Sequence, residues 1–540
     1  MTEARYRQYF VAICLIFLVA VNMAFISLAI RTPADHTYIG MGHEAVADKF
    51  VYYAMILQGK EGHLFMQNPH TSEPQKGSLF SPQWLATGLL ATALGGSVPI
   101  AYHVMRIILS LVFLWLLYLF VNKLFPQPAE RLIATIGVLG ATGWGWLYVV
   151  VHPWVASPAY HWLLSFNIKP VDLYVTEMLP FKALAQAPLF ILSYILLLAI
   201  FYILLHENYR TKGWWLLGGA LALLLVLVHP YDAIILLTVV GTWAVWKLLV
   251  DKSWPVMSTA VSIFIGVGGG LSYHAFSCFY EPALAGWLAQ NITRSPPLMT
   301  YVWGLGALLP LWLLGLVCML RQREKNPWLQ FMGIWSVAIL LIMYLPLNIN
   351  RRFANAWFIP LAIVAAYGVV HLLRRIKKSY ILQCVVVSMI TIAVFGGTVY
   401  QVIQYAVWYP PADQKYSYYL DPYITDALAH IQQYSGSPTI LANEEFMSLV
   451  VAAAAPVKVY VGHAHQTAHF FLKLEQQEWF FGANETPTAE TRKEAFLHAN
   501  GISYLFVYRP SLVTDASWVS TAPFLQPVYH SAIIDMYKVL

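Results

Sequence analysis

Charge is what this 540-residue chain has least of. Only 11% of its residues are charged, against about 25% in ordinary soluble domains. With 59% hydrophobic residues and a mean hydropathy of +0.60, most of its surface is not made for water. Cysteine is scarce as well. Cys14, Cys278, Cys318 and Cys384 all lie in apolar runs, which excludes a disulfide framework and any Cys-based metal spacing. No internal repeat and no low-complexity tract is present. The net charge of +6 does not indicate a nucleic-acid binder, because the basic residues sit in short clusters between apolar runs, where they orient a membrane protein.

What is present is a series of runs near the roughly 20 residues that a bilayer requires. They fall near 9–30, 99–124, 131–151, 182–206, 213–229, 233–250, 256–279, 299–320, 328–347, 355–374 and 380–404. The first is too long for a signal-peptide core and has no small-residue cleavage site, so it reads as an uncleaved span. The segment 81–97 is short and Gly-rich and reads as re-entrant or interfacial. With Arg5 and Arg7 in the cytoplasm, the inner loops carry Lys123 and Arg131; Arg210 and Lys212; Lys247 and Lys252; Arg321, Arg323 and Lys325; and Arg374, Arg375, Lys377 and Lys378. Every inner loop is basic, as eleven spans require, and an odd number places the C-terminus outside.

The expected fold class is therefore a polytopic α-helical membrane protein of about eleven transmembrane helices with a C-terminal soluble α/β domain. The expected division is a transmembrane domain over 1–404, with a long first outer loop at 31–98, and an extracytoplasmic domain over 405–540. In the latter, 421–433 and 488–500 read as helices and 439–442, 457–461 and 502–507 as strands.

The polar residues that could carry chemistry crowd the outer side. Asp48, Tyr52, Met55 and Ile56 share one face of an expected amphipathic helix lying on the membrane surface. Glu44 and Asp48 either act as a general base toward an acceptor hydroxyl or solvate the loop and cap the helix. Gln67 to Gln75, which contains Glu73, is either a sugar-binding stretch or a surface turn built by two prolines. Asp172 and Glu177 precede a span, and His229-Pro-Tyr-Asp232 forms the next outer turn. In Asn348-Ile-Asn-Arg-Arg-Phe353 two adjacent arginines oppose the positive-inside pattern. Arginine suits bidentate phosphate binding, and Arg106, one turn after His103, is an ionisable residue within a span. The alternative for these cations is snorkelling to lipid headgroups.

Together these residues resemble the GT-C superfamily of integral-membrane glycosyltransferases, in the style of bacterial relatives of the protein mannosyltransferases and the lipid A aminoarabinose transferase. More narrowly, Asp48-x-x-x-Tyr52-x-x-x-Ile56-x-Gln58-Gly59, Asn68-Pro-His-Thr-Ser-Glu-Pro74, Arg351-Arg352-Phe353 and Tyr460-Val-Gly-His-Ala-His-Gln-Thr467 resemble a group of bacterial membrane proteins. The resemblance implies an inverting transferase of the bacterial plasma membrane that takes a hexose from a polyprenyl-phosphate carrier. Its acceptor would be a glycan, lipid or protein, and its other partners membrane lipids, with no nucleic acid. Asp48 matches the first-loop carboxylate that serves as base, although many mannosyltransferases have Asp-Glu where this chain has Asp48-Lys49, with Glu44 one turn earlier. Arg351, Arg352 and Arg106 are expected to hold the carrier phosphate. Tyr52, Glu73, Glu177, His229, Asp232, His463 and His465 are expected to line the substrate, His463 and His465 serving either there or as structural groups of the soluble domain. No cofactor is required; the outer carboxylates leave room for a divalent cation, but no ligand spacing compels one. Two other classes share these features: a lipid or sugar flippase, which would show broken helices and internal repeats, and a non-enzymatic glycan-assembly protein.

Overall fold

The computed structural model describes every residue except 156–168, 207–212, 251, 253–254, 377–378, 484–488 and 512–516. Arg210, Lys212, Lys377 and Lys378 of the basic loops therefore lie outside the described residues, as does Thr488, where a helix was expected to begin. Among the described residues, seven helices are long and apolar enough to cross a membrane: Glu3–Ile30 (α1), Val98–Leu124, Pro188–Leu205, Asp232–Val250, Met257–Tyr280, Phe358–Arg375 and Ile381–Val407. Two bent pairs raise the number to nine. The shorter apolar helices Trp215–Val228 and Pro327–Ile342 fall on the two remaining runs, so each of the eleven expected segments is helical.

The bends were not legible in the sequence. Pro128–Gly140 and Gly145–Val151 meet at 47°, and Leu298–Leu305 and Leu308–Gln322 at 87°. Broken helices leave backbone groups that lipid cannot satisfy, and here carbonyls of two other helices accept from the first break. Trp144 N donates to Trp303 O at 3.0 Å, and Thr142 N donates to Val394 O at 2.9 Å. A Cβ on Gly143 would strike the backbone of Gly304, and Gly306 turns the second break at φ +51°. Gly304→Ala is expected to cost about 1–3 kcal/mol through overpacking. Gly268→Ala, whose Cβ meets nothing within 4 Å, is expected to be neutral or to gain up to about 1 kcal/mol of helix propensity. Thermal unfolding in detergent separates the two.

Backbone contacts divide the chain into two units. The first comprises 1–24, 106–274 and 292–408, and the second 25–105, 275–291 and 409–540. In the first, Phe358–Arg375 is buried at every position from Phe358 to Val370, which explains why it is apolar on all sides. Gly315 and Gly368 let it approach Leu308–Gln322 so closely that a Cβ at either would meet backbone, the small-residue packing of membrane helices.

The second unit holds a five-stranded sheet of Thr439–Ala442 (β3), Lys458–Val459 (β4), Ile502–Tyr508 (β5), Leu525–His530 (β6) and Ile534–Val539 (β7). Their order is β4-β3-β5-β7-β6. The β3 strand is parallel to β4 and β5, and β7 is antiparallel to β5 and β6. The short strands Thr37–Tyr38 (β1) and Tyr419–Leu420 (β2) pair separately. The expected helix at 421–433 is Pro422–Ile431, capped where the Asp421 carboxylate accepts from Tyr423 N at 2.8 Å. The 457–461 strand shortens to two residues, and helix 488–500 is described over Ala489–Ala499. The β6–β7 hairpin and helices Glu445–Ala454 and Phe470–Phe481 were not anticipated.

One expectation is corrected. The helix that carries Asp48, Val46–Lys60 (α2), does not lie on a surface with one free face. Its buried residues run almost around it, including Lys49, Phe50, Tyr53, Ile56 and Gly59. It packs on Pro82–Ala93 (α3) and on Glu445–Ala454. Gly59 and Gly88 make the first contact close, since a Cβ on Gly88 would strike the Gly59 backbone. Lys49 is 1% exposed; its Nζ donates to Glu44 O at 3.0 Å and lies 5.1 Å from the Phe25 ring centre.

Candidate active site

In the second unit, motifs nearly 400 residues apart in sequence are stitched together. The stretch Asn68–Pro74 meets Val459–Ala468. Val459 N donates to Pro69 O at 2.9 Å, Asn68 Nδ2 donates to Gln466 O at 2.8 Å, and Thr467 Oγ1 donates to His70 O at 2.7 Å. Thr71 forms a β-bridge with Val461. Glu73, expected as a substrate residue, is paired with Lys473 at 2.6 Å and accepts a short bond from Thr71 Oγ1. Burial pushes the Glu73 carboxyl up, but the bonds from Lys473 and Thr71 outweigh it and hold it below its ordinary value. These bonds make Asn68–Pro74 a structural seam rather than an open surface turn.

The seam sets Asp48 beside His463. His463 Nε2 lies 3.1 Å from Asp48 Oδ1. The histidine side chain is 9% exposed and the aspartate side chain 44%, so the carboxylate is both held and reachable. Ala45, just before α2, has φ 51°, left-handed strain of the kind that gathers at functional sites. Tyr52 stacks on Trp84 with centroids 4.8 Å apart. Glu44 accepts the Lys49 bond through its backbone oxygen. His465 is exposed, its ring 5.8 Å from that of His463. Near the C-terminal end of α2 is a cavity of about 550 Å³ walled by Gln58, Glu61, His63, Gln67, Lys76 and Lys458 among others; Asp48 and His463 are not among its walls.

The first unit gathers the other candidates. Arg351 and Arg352 lie in the 3-10 turn Asn350–Ala354, anchored where Arg351 N donates to Thr293 O at 3.1 Å. Their guanidinium carbons stand 5.9 Å from the Tyr174 ring centre and 4.9 Å from that of Tyr231, respectively. Cation–π contact holds a charge without neutralising it. The Arg351 Nε is buried with no hydrogen-bond partner among the described residues. Glu177 is 3% exposed; its backbone oxygen accepts from Tyr194 at 2.6 Å and from Ala356 N at 3.0 Å, while its Oε1 is buried without a partner among the described residues.

Asp232 is fully buried. Its Oδ2 accepts from Ser193 Oγ at 2.5 Å and its Oδ1 from Asn355 Nδ2 at 2.8 Å, and His229 Nδ1 lies 3.0 Å from Oδ2 without hydrogen-bond alignment. That geometry ties three segments together and leaves little of the carboxylate for substrate. Arg106 likewise departs from expectation. It is 1% exposed and donates to Leu184 O at 2.9 Å and to Asn22 Oδ1, so its guanidinium is committed to joining helices, the usual fate of a cation that desolvation makes costly.

Sequence reasoning had noted Asp172 but not its environment. Its Oδ2 accepts from Gly145 N at 3.0 Å, answering the helix break, and burial raises its carboxyl from 3.8 to about 7 against the lowering effect of backbone donors and Lys182. Between about pH 4 and 7 the folded state thus keeps a proton that the unfolded state has released. Stability is expected to fall as pH rises through this window, by on the order of 4 kcal/mol in total. Asp172→Asn, which resembles the protonated acid, is expected to remove that slope in unfolding measured at pH 5 and pH 8. Among the described residues no group of three or more His, Cys, Asp or Glu is placed to hold a metal ion.

No family model and no curated protein matches the sequence. Two crystal structures of the Archaeoglobus fulgidus oligosaccharyltransferase match the fold at 13% identity, over 93% of this chain and 69% of theirs. One, tethered to an acceptor peptide containing the NVT sequon, superposes with a TM-score of 0.51; the other, in the apo form, with 0.50. Eleven apolar helical segments, a carboxylate between the first two and a C-terminal sheet already matched the expected architecture. With that likeness over nearly its whole length, the chain has the fold of the Archaeoglobus fulgidus oligosaccharyltransferase.

Proposed function

We propose that this protein is an inverting glycosyltransferase of the bacterial plasma membrane, with its N-terminus cytoplasmic and the segment 405–540 outside. It moves a hexose from a polyprenyl-phosphate carrier to an acceptor on the outer side. The observation that carries this reading is the Asp48 carboxylate, placed between the first two expected spans, gripped by His463 and still open to solvent.

In the proposed step the acceptor hydroxyl gives its proton to Asp48 as its oxygen attacks the anomeric carbon. The bond from that carbon to the carrier phosphate breaks, and the phosphate leaves with the electron pair. The departing charge calls for fixed cations, the role proposed for Arg351 and Arg352. Because the archaeal fold relative was crystallised with an acceptor peptide, sequon peptides belong among the acceptors to be tried, alongside lipids and glycans.

The test is transfer from radiolabelled polyprenyl-phosphate hexoses in proteoliposomes of the purified full chain. Labelled product of inverted anomeric configuration is expected. Retained configuration would remove the single-displacement mechanism, and absence of product from every carrier and acceptor would remove the transferase reading.

A further inference from the structure

The contact between His463 and Asp48 contains more than a distance. His465 N donates to His463 Nδ1 at 3.2 Å. A ring nitrogen that accepts from an N–H carries no proton, so the other nitrogen of the neutral ring must. That nitrogen, Nε2, is the one 3.1 Å from Asp48 Oδ1. The hydrogen-bond network therefore assigns one tautomer and one direction, from histidine to carboxylate.

The turn that presents His463 is built tightly. Its backbone oxygen accepts from Gln466 N and Thr467 N, both at 2.8 Å, and Thr467 Oγ1 accepts from Gly462 N at 2.9 Å. Behind the ring lies His70, which is fully buried, with both ring nitrogens lacking a hydrogen-bond partner among the described residues. Gly462 admits it: a Cβ there would come within 2.9 Å of His70 Nδ1. Burial, and secondarily the neighbouring His463, lower His70 to about 3, so this neighbour stays neutral. Among the described residues, the titratable groups that face His463 include Asp48 from α2, His70 from the first loop, Glu445 from its helix and His465 from the same turn.

We propose that His463 is the positioning residue for Asp48: a neutral imidazole, supplied by the segment 409–540, that donates from Nε2 to Oδ1 and fixes the orientation in which the carboxylate meets an acceptor hydroxyl. This rests on the base role given to Asp48 above. It also gives the C-terminal segment a part in the reaction, since a base displaced by about 1 Å loses on the order of 10²-fold in rate.

Two measurements on the full chain in detergent micelles test it. With 15N-labelled histidine, and His463→Gln to assign the signals, His463 is expected to show a bare Nδ1 and a protonated Nε2 at pH 7. An imidazolium at pH 7, or the opposite tautomer, overturns the proposal. In the transfer assay His463→Ala is expected to lower kcat about 10²-fold with KM for the carrier unchanged. His463→Gln, whose amide can donate near the Nε2 position, is expected to recover most of it while melting at the same temperature. Equal kcat in all three proteins overturns the positioning role. Wild-type protein that transfers nothing overturns the reading of Asp48 as a base, and the nitrogen spectrum, which needs no donor, keeps that failure distinct.

Discussion

Asp48→Asn is expected to lower sugar transfer by about 10²–10⁴-fold, the usual contribution of a general base. The substitution is nearly isosteric, and the asparagine oxygen can still accept from His463 Nε2, so the contact that holds the residue survives. What is lost is the capacity to take a proton. The side chain is 44% exposed, so the change strands no buried group, and melting is expected to stay within about 0.5 kcal/mol of wild type. The carrier KM should hold as well, because the proposed phosphate contacts are made by Arg351 and Arg352. Rates of transfer from a labelled carrier, measured with a melting curve on the same preparation, decide the matter. Full transfer by the variant would remove Asp48 from the chemistry. A loss matched by a fall in stability would mean that the residue holds structure instead.

Asp232→Ala is expected to be the most damaging single change to the fold, costing roughly 3 kcal/mol. Ser193, Asn355 and His229 converge on this fully buried carboxylate. Truncation would leave donors in the protein interior with a missing acceptor, and an unmade buried bond costs more than a made one contributes. Asn355 would keep its 2.7 Å bond to Ser193 Oγ, which limits the damage. Asp232→Asn preserves one acceptor and is expected to lose about 1 kcal/mol or less. Unfolding in detergent micelles checks the order of the two variants. If Asp232→Ala were as stable as wild type and transfer alone were lost, the carboxylate would belong to the substrate, as its place in an outer turn first suggested.

The two predictions show how differently the polar residues could be read. Asp48 stood out because it matches the first-loop carboxylate of the family the chain resembles; its pattern alone fitted a loop-solvating or capping residue as well. Asp232 and Arg106 stood out by the logic of charge at the edge of an apolar run, yet both are committed to holding helices together. A linear pattern does not contain the difference, because it records that a group is polar and not which donors surround it. His70 illustrates the reverse case. It sits within a quoted motif, but nothing in the local sequence marks it as the fully buried neighbour of a residue 393 positions away.

By itself the sequence determined where the helices run, because a bilayer admits only long apolar segments and eleven such segments leave a charge pattern of their own. It also determined about half of the C-terminal helices and strands, those whose periodicity is local. Only the tertiary structure decided that α2 is buried rather than laid on a surface, that two spans are broken and that neighbouring helices accept from the first break's backbone, and that the turn bearing His463 reaches Asp48. Each of these depends on contacts between residues far apart along the chain. Hydrogen-bond satisfaction and close packing at glycine act on neighbours in space, and spatial neighbours of that kind are absent from any window of sequence.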